Sequence, residues 1–332
     1  MKRRPFVAGL GIAWLAPFSV LGQKAQGARL AFIAQVEVPW LVDPLIAGLK
    51  QRGWVVGKNL IVDTHTGERD AQRVQTLIAK LVDQRTDVIV VVGTHFARAA
   101  QRVTKTIPIV MYLSGFPVEG GLVESFARPG ANITGLATYS GDAFFTKHVS
   151  LMRELVPSLR ELGILWDYLP PAFLDKEAEF GTRELKRAAA ELKVNAHLRR
   201  IADSDALEKA LSDFEQKSIQ VLYATSGPMN GAPGPGARRI IDFALRRKLP
   251  LVCDIAGSLF RAGGLLSYSA SWIEAADRCA SFVDRILRGA NPAELPIERP
   301  SKFELVLNLK TAKTIGITIP PAMLVRADQV IQ

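Results

Sequence analysis

The sequence predicts an α/β protein of two Rossmann-like lobes, each a parallel sheet flanked by helices. Three observations carry this. Short β-rich runs alternate with amphipathic stretches along the chain, the order that builds parallel sheets. The run DVIVVV at 87–92 is apolar on both faces, as a strand covered by helices on either side requires. The alternation also restarts near residue 142, dividing the chain into two units of about 150 residues, each the size of one core.

The elements follow in order. Residues 1–22 read as an export leader: Lys2, Arg3 and Arg4, then an apolar run broken by Gly9, Gly11 and Pro17. That run is short for a bilayer-spanning helix, which needs about 20 apolar residues. Cleavage after Gly22 or Gly27 fits the small-residue rule. The absence of a nearby cysteine predicts no lipid anchor. Arg3-Arg4 also has the twin-arginine shape, leaving ordinary and folded export both open.

Residues 30–36 form the first predicted strand. Asp43 then caps a helix with Pro44 at its first position and Gly53 just past its end. Residues 60–63 are a strand, and Asp70 opens a helix in which Val74, Leu77, Ile78 and Leu81 recur at i, i+3, i+4 and i+7. Beyond the 87–92 strand, 96–104 is helical and 108–112 is a strand. The second run reads helix 144–155, strand 162–166, helix 172–192 and strand 194–199. Asp203 then begins a helix, followed by strand 219–223 and a helix at 237–247. Strands at 251–254 and 265–268 precede a helix at 272–288 that turns Ala275, Ala276, Cys279, Phe282, Val283 and Ile286 inward. A strand at 303–307 and a short helix from Asn308 end the pattern.

Composition narrows the function. The chain is 48% hydrophobic and 22% charged, an ordinary globular balance. Its formal charge is +10, and the leader holds three of those positive charges, leaving +7. The remaining cations are interspersed with acids at helical spacing, as Arg153, Arg160 and Arg187 are with Glu154, Glu161 and Glu191. That pattern makes solvated faces rather than a phosphate track, so no nucleic-acid partner is expected. Cys253 and Cys279, both in apolar surroundings, read as isolated buried thiols, although an oxidising compartment would permit a disulfide.

In parallel sheets, ligands bind beyond the carboxyl ends of the strands, beside helix N-termini. The candidate ligand-binding residues are those at predicted strand ends: Gln35 and Trp40; Gly93, Thr94, His95 and Phe96; Ser114, Gly115 and Phe116; Trp166, Asp167 and Tyr168; Thr225 and Ser226; and Asp254. Thr138 joins them from the segment that links the lobes, and Tyr268 from the end of the 265–268 strand. Thr94, Ser114 and Thr225 would donate hydrogen bonds, and Trp40, Phe96, Phe116, Trp166 and Tyr168 would pack a flat apolar body. Asp167 or Asp254 would pair an ammonium. Each loop alone reads as caps and turns; together they describe a cleft.

Enzymatic readings have less support. His65, His95, His148 and His197 show no metal-ligand spacing, so no metal or other cofactor is expected. No G-x-S-x-G turn presents a serine, which leaves only His95 as a base for an exported hydrolase. The glycine-rich stretch 231–236 lacks the Lys-Ser/Thr ending of a phosphate loop and reads as a mobile loop at the cleft mouth.

Several longer stretches carry a resemblance: GWVVGKNL at 53–60, RPGANITG at 128–135, PSKFELVLNLKTAK at 300–313, and the tail 320–331. With these the chain resembles the exported substrate-binding proteins of ABC transporters, in the group related to tryptophan- and tyrosine-binding components. The resemblance implies a type I periplasmic-binding-protein fold with a three-crossover hinge near 135–139, 266–269 and 295–300. It implies lobe one at 28–137 plus 268–297 and lobe two at 138–267 plus 298–332, behind a signal peptide at 1–27. It further implies a periplasmic monomer that closes on a small solute, an aromatic amino acid or an aromatic or acyl carboxylate, and presents it to a permease without chemistry. A ligand-presenting sensor of the same fold is the alternative. The chain departs from the family pattern at His95-Phe96, at Phe116-Pro117 and at Trp166-Asp167-Tyr168, all within the predicted cleft.

Overall fold

The computed structural model describes residues 27–34, 39–66, 71–139, 143–167, 175–227, 229 and 235–332. The leader, Gln35, Asp70, Tyr168 and the stretch 231–234 therefore lie outside the described residues.

The first sheet contains β1 (Ala28–Ile33), β2 (Leu60–His65), β3 (Val88–Val92), β4 (Ile109–Ser114) and β5 (Ile133–Ala137), all parallel in the order β2-β1-β3-β4-β5. Around it lie α1 (Pro39–Gln51), α2 (Ala71–Asp83) and α3 (Thr94–Val103). The apolar β3 is enclosed as its composition requires. Val88 and Val90 face a core shared with α1, while Ile89 and Val91 face one shared with α2 and α3.

The second sheet is built from β6 (Glu161–Asp167), β7 (Asn195–Ile201), β8 (Val221–Ala224), β9 (Leu251–Cys253), β10 (Leu266–Ala270), β11 (Phe303–Asn308) and β12 (Gln329–Ile331). Their order is β12-β11-β10-β9-β8-β6-β7. Its helices are α4 (Ala143–Leu155), α5 (Asp175–Glu191), α6 (Ser204–Lys217), α7 (Pro235–Arg246) and α8 (Ser258–Gly263), with α10 (Leu309–Ile315) and α11 (Pro321–Arg326) in the tail. The remaining helix, α9 (Trp272–Leu287), packs on α1 and behind β4 and β5, completing the first core with Ala276, Phe282 and Val283. Gly48 of α1 permits the close approach: a Cβ there would sit 2.9 Å from that of Ala280.

The chain thus passes between the sheets three times: after β5, between β10 and α9, and after the 3-10 turn Pro292–Glu294. These passages are stitched together. Ala137 N–H donates to Glu298 O at 2.9 Å and Glu298 N–H to Gly135 O at 3.0 Å, while Ser271 N–H donates to Lys302 O at 2.9 Å. Gly135, at φ +126°, is required here, since a side chain would fall against the Met111 backbone.

The structure departs from the sequence reading in several places. Helix α1 starts at Pro39, so Asp43 and Pro44 lie inside it; Pro44 deprives only the first-turn carbonyl of Trp40 of its helical partner. The second sheet is not wholly parallel, because β10 and β11 pair antiparallel. Between them the chain has left for the first core and returned, so it re-enters the sheet from the opposite end. β10 also extends to Ala270, two residues past the expected end of that strand. β5, α8, α11 and β12 are elements that the sequence reading does not place.

Candidate functional site

The junction between the two sheets is walled by aromatic rings. At the end of β4 the register against β5 shifts between Met111 and Ser114, and Leu113 takes the left-handed conformation at φ +64°. For a branched side chain that conformation is strained. The bulge turns the following loop toward the second sheet and delivers Phe116 there. The Phe116 side chain is 6% exposed and belongs to the second unit's core. Its ring lies 4.7 Å from Tyr139, 5.0 Å from Phe180 of α5 and 6.2 Å from Phe145 of α4. Phe145 in turn stands 6.2 Å from Trp166 at the end of β6. The spacings are those of mutually attractive aromatic pairs. Gly181 of α5 makes room for the wall, since a Cβ there would lie 2.5 Å from Trp166 and 2.8 Å from Phe116.

A buried carboxylate adjoins this wall. Asp254, just past β9, accepts from Ser226 N–H and Ser226 Oγ–H, both at 2.8 Å. Its other oxygen meets the Tyr139 hydroxyl at 3.5 Å, a long contact for a hydrogen bond. Loss of hydration pushes its carboxyl up to about 6, against the Ser226 and Tyr139 hydrogen bonds that pull it down. Tyr139, on the first crossover, therefore touches both the aromatic wall and the carboxylate.

Other residues singled out from the sequence serve the scaffold. Asp167 accepts from Met229 N–H at 2.7 Å, and its own N–H donates to Thr225 Oγ1 at 2.9 Å. This pair pins the loop after β8, as Thr94 pins the Phe116 loop by accepting from Gly115 N–H at 2.9 Å. The hydroxyls of Thr94 and Thr225 are thus engaged by their own units. Phe96 corrects the expectation of a ligand contact: on α3 it faces inward, fully buried against the first sheet. The His95 ring lies tilted against it with centroids 4.0 Å apart, and burial holds the imidazole down to about 4. Gly93 supplies the positive φ (+92°) before α3.

Trp40 stands edge-on to Trp272, at 4.6 Å and 86°, where α1 and α9 begin. Ser114 is buried in the bulge, its carbonyl accepting from Thr138 N–H at 2.6 Å. Tyr268 stacks on Phe303 at 5.4 Å, beside the buried His148. Ring contacts link it to Tyr139 through Phe144, by way of both His148 and Phe303.

Sequence reasoning missed Tyr139 as a site residue, together with Phe144, Phe145, Phe180 and Gly181. Phe144-Phe145 at the start of a helix that follows a crossover was a usable signal; Gly181, inside a helical stretch, was another. No group of three or more metal-ligating side chains, and no helix long and apolar enough to cross a membrane, occurs among the described residues. A separate cavity of about 440 Å³ lies at the crossovers, and its lining includes none of the candidate ligand-binding residues.

A family match to ABC transporter substrate binding protein spans residues 31–331. The chain belongs to this family. A relative named tyrosine-binding protein, from Clostridioides difficile, is 24% identical over 272 residues, covering 82% of this chain and 75% of its own. Among solved structures, a conserved domain protein from Vibrio cholerae aligns at TM-score 0.80 and 28% identity, over 92% of this chain and all of the other. An ABC domain from Streptococcus pneumonia in complex with L-Trp aligns at TM-score 0.79 and 22% identity, again over 92% and 100%. The architecture is accordingly the two-lobed α/β fold of type I periplasmic binding proteins. As an ABC transporter substrate-binding protein, this chain belongs to a family whose task is binding rather than catalysis.

Proposed function

We propose that this protein captures an aromatic amino acid between its lobes, outside the cytoplasm, and delivers it to an ABC importer. The observation that carries the reading is Tyr139, whose ring lies against Phe116 and whose hydroxyl meets Asp254. An amino acid with a flat side chain needs an aromatic surface and an anion for its ammonium within one molecular length. The tyrosine-binding relative and the L-Trp complex of the structural neighbour support that ligand class. In this reading residues 1–27 are removed on export, and the lobes, 28–137 with 268–297 and 138–267 with 298–332, close as a monomer on the ligand. The closed surface is what the permease recognises.

Thermal-shift and calorimetric titration of residues 28–332 with L-tryptophan, L-tyrosine and L-phenylalanine tests this, with 3-indolepropionate as the analogue lacking an ammonium. An amino acid at 100 times its dissociation constant stabilises by about 2.7 kcal/mol. The expected order is aromatic amino acids well above the indole acid. Equal binding of the acid removes the role given to Asp254, and no response to any of the three amino acids overturns the ligand class.

A further inference from the structure

The third crossover has an arrangement that ligand contacts do not explain. Residues 298–301 run along the cavity of about 440 Å³ lined by Leu113, Leu136, Ser271, Arg278 and Arg299 among others. One side of this segment therefore borders open space instead of packed side chains, and the segment depends on a few discrete contacts for its position. Backbone bonds from Glu298 tie it to the first crossover, and Ser271 N–H ties it to the second. Arg299 lies over the Phe126 ring at 3.9 Å, and further contacts come from one helix. Arg278 of α9 grips the Glu298 carboxylate with two parallel bonds, Nε to Oε2 at 2.6 Å and Nη2 to Oε1. One turn earlier, Glu274 of α9 accepts from Lys302 N–H at 3.0 Å and from the Ser301 hydroxyl.

We propose that Arg278 and Glu274 are positioning residues for ligand capture: from lobe one they clamp both ends of the third crossover and so set how freely the two lobes open. Exposed ion pairs contribute little when single and monodentate. This one is bidentate, which fixes direction as well as distance, and its carboxylate belongs to the residue whose backbone joins the first and third crossovers. A hinge segment beside a cavity bends at low cost, so releasing the clamp enlarges the range of lobe orientations. Closure on a ligand then has more freedom to remove, and affinity falls although no ligand contact has changed.

The proposal rests on the reading of the chain as a two-lobed binder, and its test separates the two. Spin labels placed on exposed positions of α2 and α6 report the interlobe distance distribution by pulsed electron resonance, with no ligand added. Arg278→Ala is expected to broaden that distribution, and L-tryptophan affinity to fall about fivefold. The exchanged pair Arg278→Glu with Glu298→Arg is expected to restore both, and Glu274→Gln to produce a smaller broadening. Each variant's thermal midpoint shows that it is folded. If Arg278→Ala and Glu274→Gln, both folded, leave the distribution at wild-type width, the clamp is refuted. If the wild type fails to bind L-tryptophan, the ligand proposal fails while the distance measurement still decides the hinge.

Discussion

The Phe116 ring lies 4.7 Å from that of Tyr139, so a side chain launched from the first sheet packs on the first crossover and shares the second unit's core. It is a contact between units made by the protein's own rings, placed by the strained turn at Leu113. Its chemistry sets the first expectation.

Phe116→Ala removes one face of the aromatic wall. Calorimetry with L-tryptophan is expected to show at least a tenfold weaker complex, since each 1.4 kcal/mol is a factor of ten and an aromatic contact supplies about that much. The cavity left in the core also lowers stability by about 3 kcal/mol, read by urea unfolding. Unchanged affinity in a folded variant would remove Phe116 from the binding surface.

Asp254 gives the site a pH dependence. Ligand ammonium requires the ionised carboxylate, so affinity is expected to be level above about 6 and to fall toward tenfold per pH unit below it. Asp254→Asn binds weakly throughout and loses this slope. A flat wild-type profile between pH 5 and 7 contradicts the pairing.

Stability runs the other way for the same group. A carboxyl raised to about 6 in the folded state, from its ordinary 3.8, holds its proton more tightly there. Lowering the pH from 6 toward 4 therefore stabilises the fold through Asp254. His95 and His148, held down to about 4 by burial, act oppositely over the range between their ordinary 6.5 and 4. The difference in thermal midpoint between wild type and Asp254→Asn isolates the aspartate, and that difference is expected to move in the wild type's favour as the pH falls.

Gly181→Ala places a methyl group against Trp166 and Phe116 at distances no relaxed Cβ occupies. A cost of about 1–3 kcal/mol in stability is expected from such overpacking, with weaker binding as the wall shifts. Wild-type unfolding and affinity in this variant would show that α5 has slack to yield.

Cys253 and Cys279 are free thiols buried in separate cores. Burial raises both well above the ordinary thiol range, so neither forms the reactive thiolate at neutral pH. A thiol reagent is expected to label neither in the native protein and both in urea. This resolves the choice between isolated thiols and a disulfide in favour of the thiols.

Much of this arrangement was legible in the sequence because it repeats. Val88–Val92 and the spacing of Val74, Ile78 and Leu81 announce a covered strand and its helix by local periodicity. The candidate site was legible only as a set of strand ends, since a loop's side chains reveal their direction only after folding. Phe96 and Phe116 each follow a strand end in the sequence; one turns into a core and the other crosses to the second unit. Glu298 carried no local signal at all. Its partners lie at Gly135, Ala137 and Arg278, and no pattern along the chain reports a contact made between separate passages.

The placement of α9 has a consequence in time. The face of the first sheet that it covers exposes Val88, Val90, Val110 and Tyr112 until residues 272–287 are available. On a ribosome adding 5–20 residues per second, the intervening stretch takes on the order of ten seconds to appear. Throughout that interval the earliest-made sheet is an incomplete, apolar surface. The order of synthesis thus keeps the first lobe unfinished until most of the second lobe, through β10, has been made.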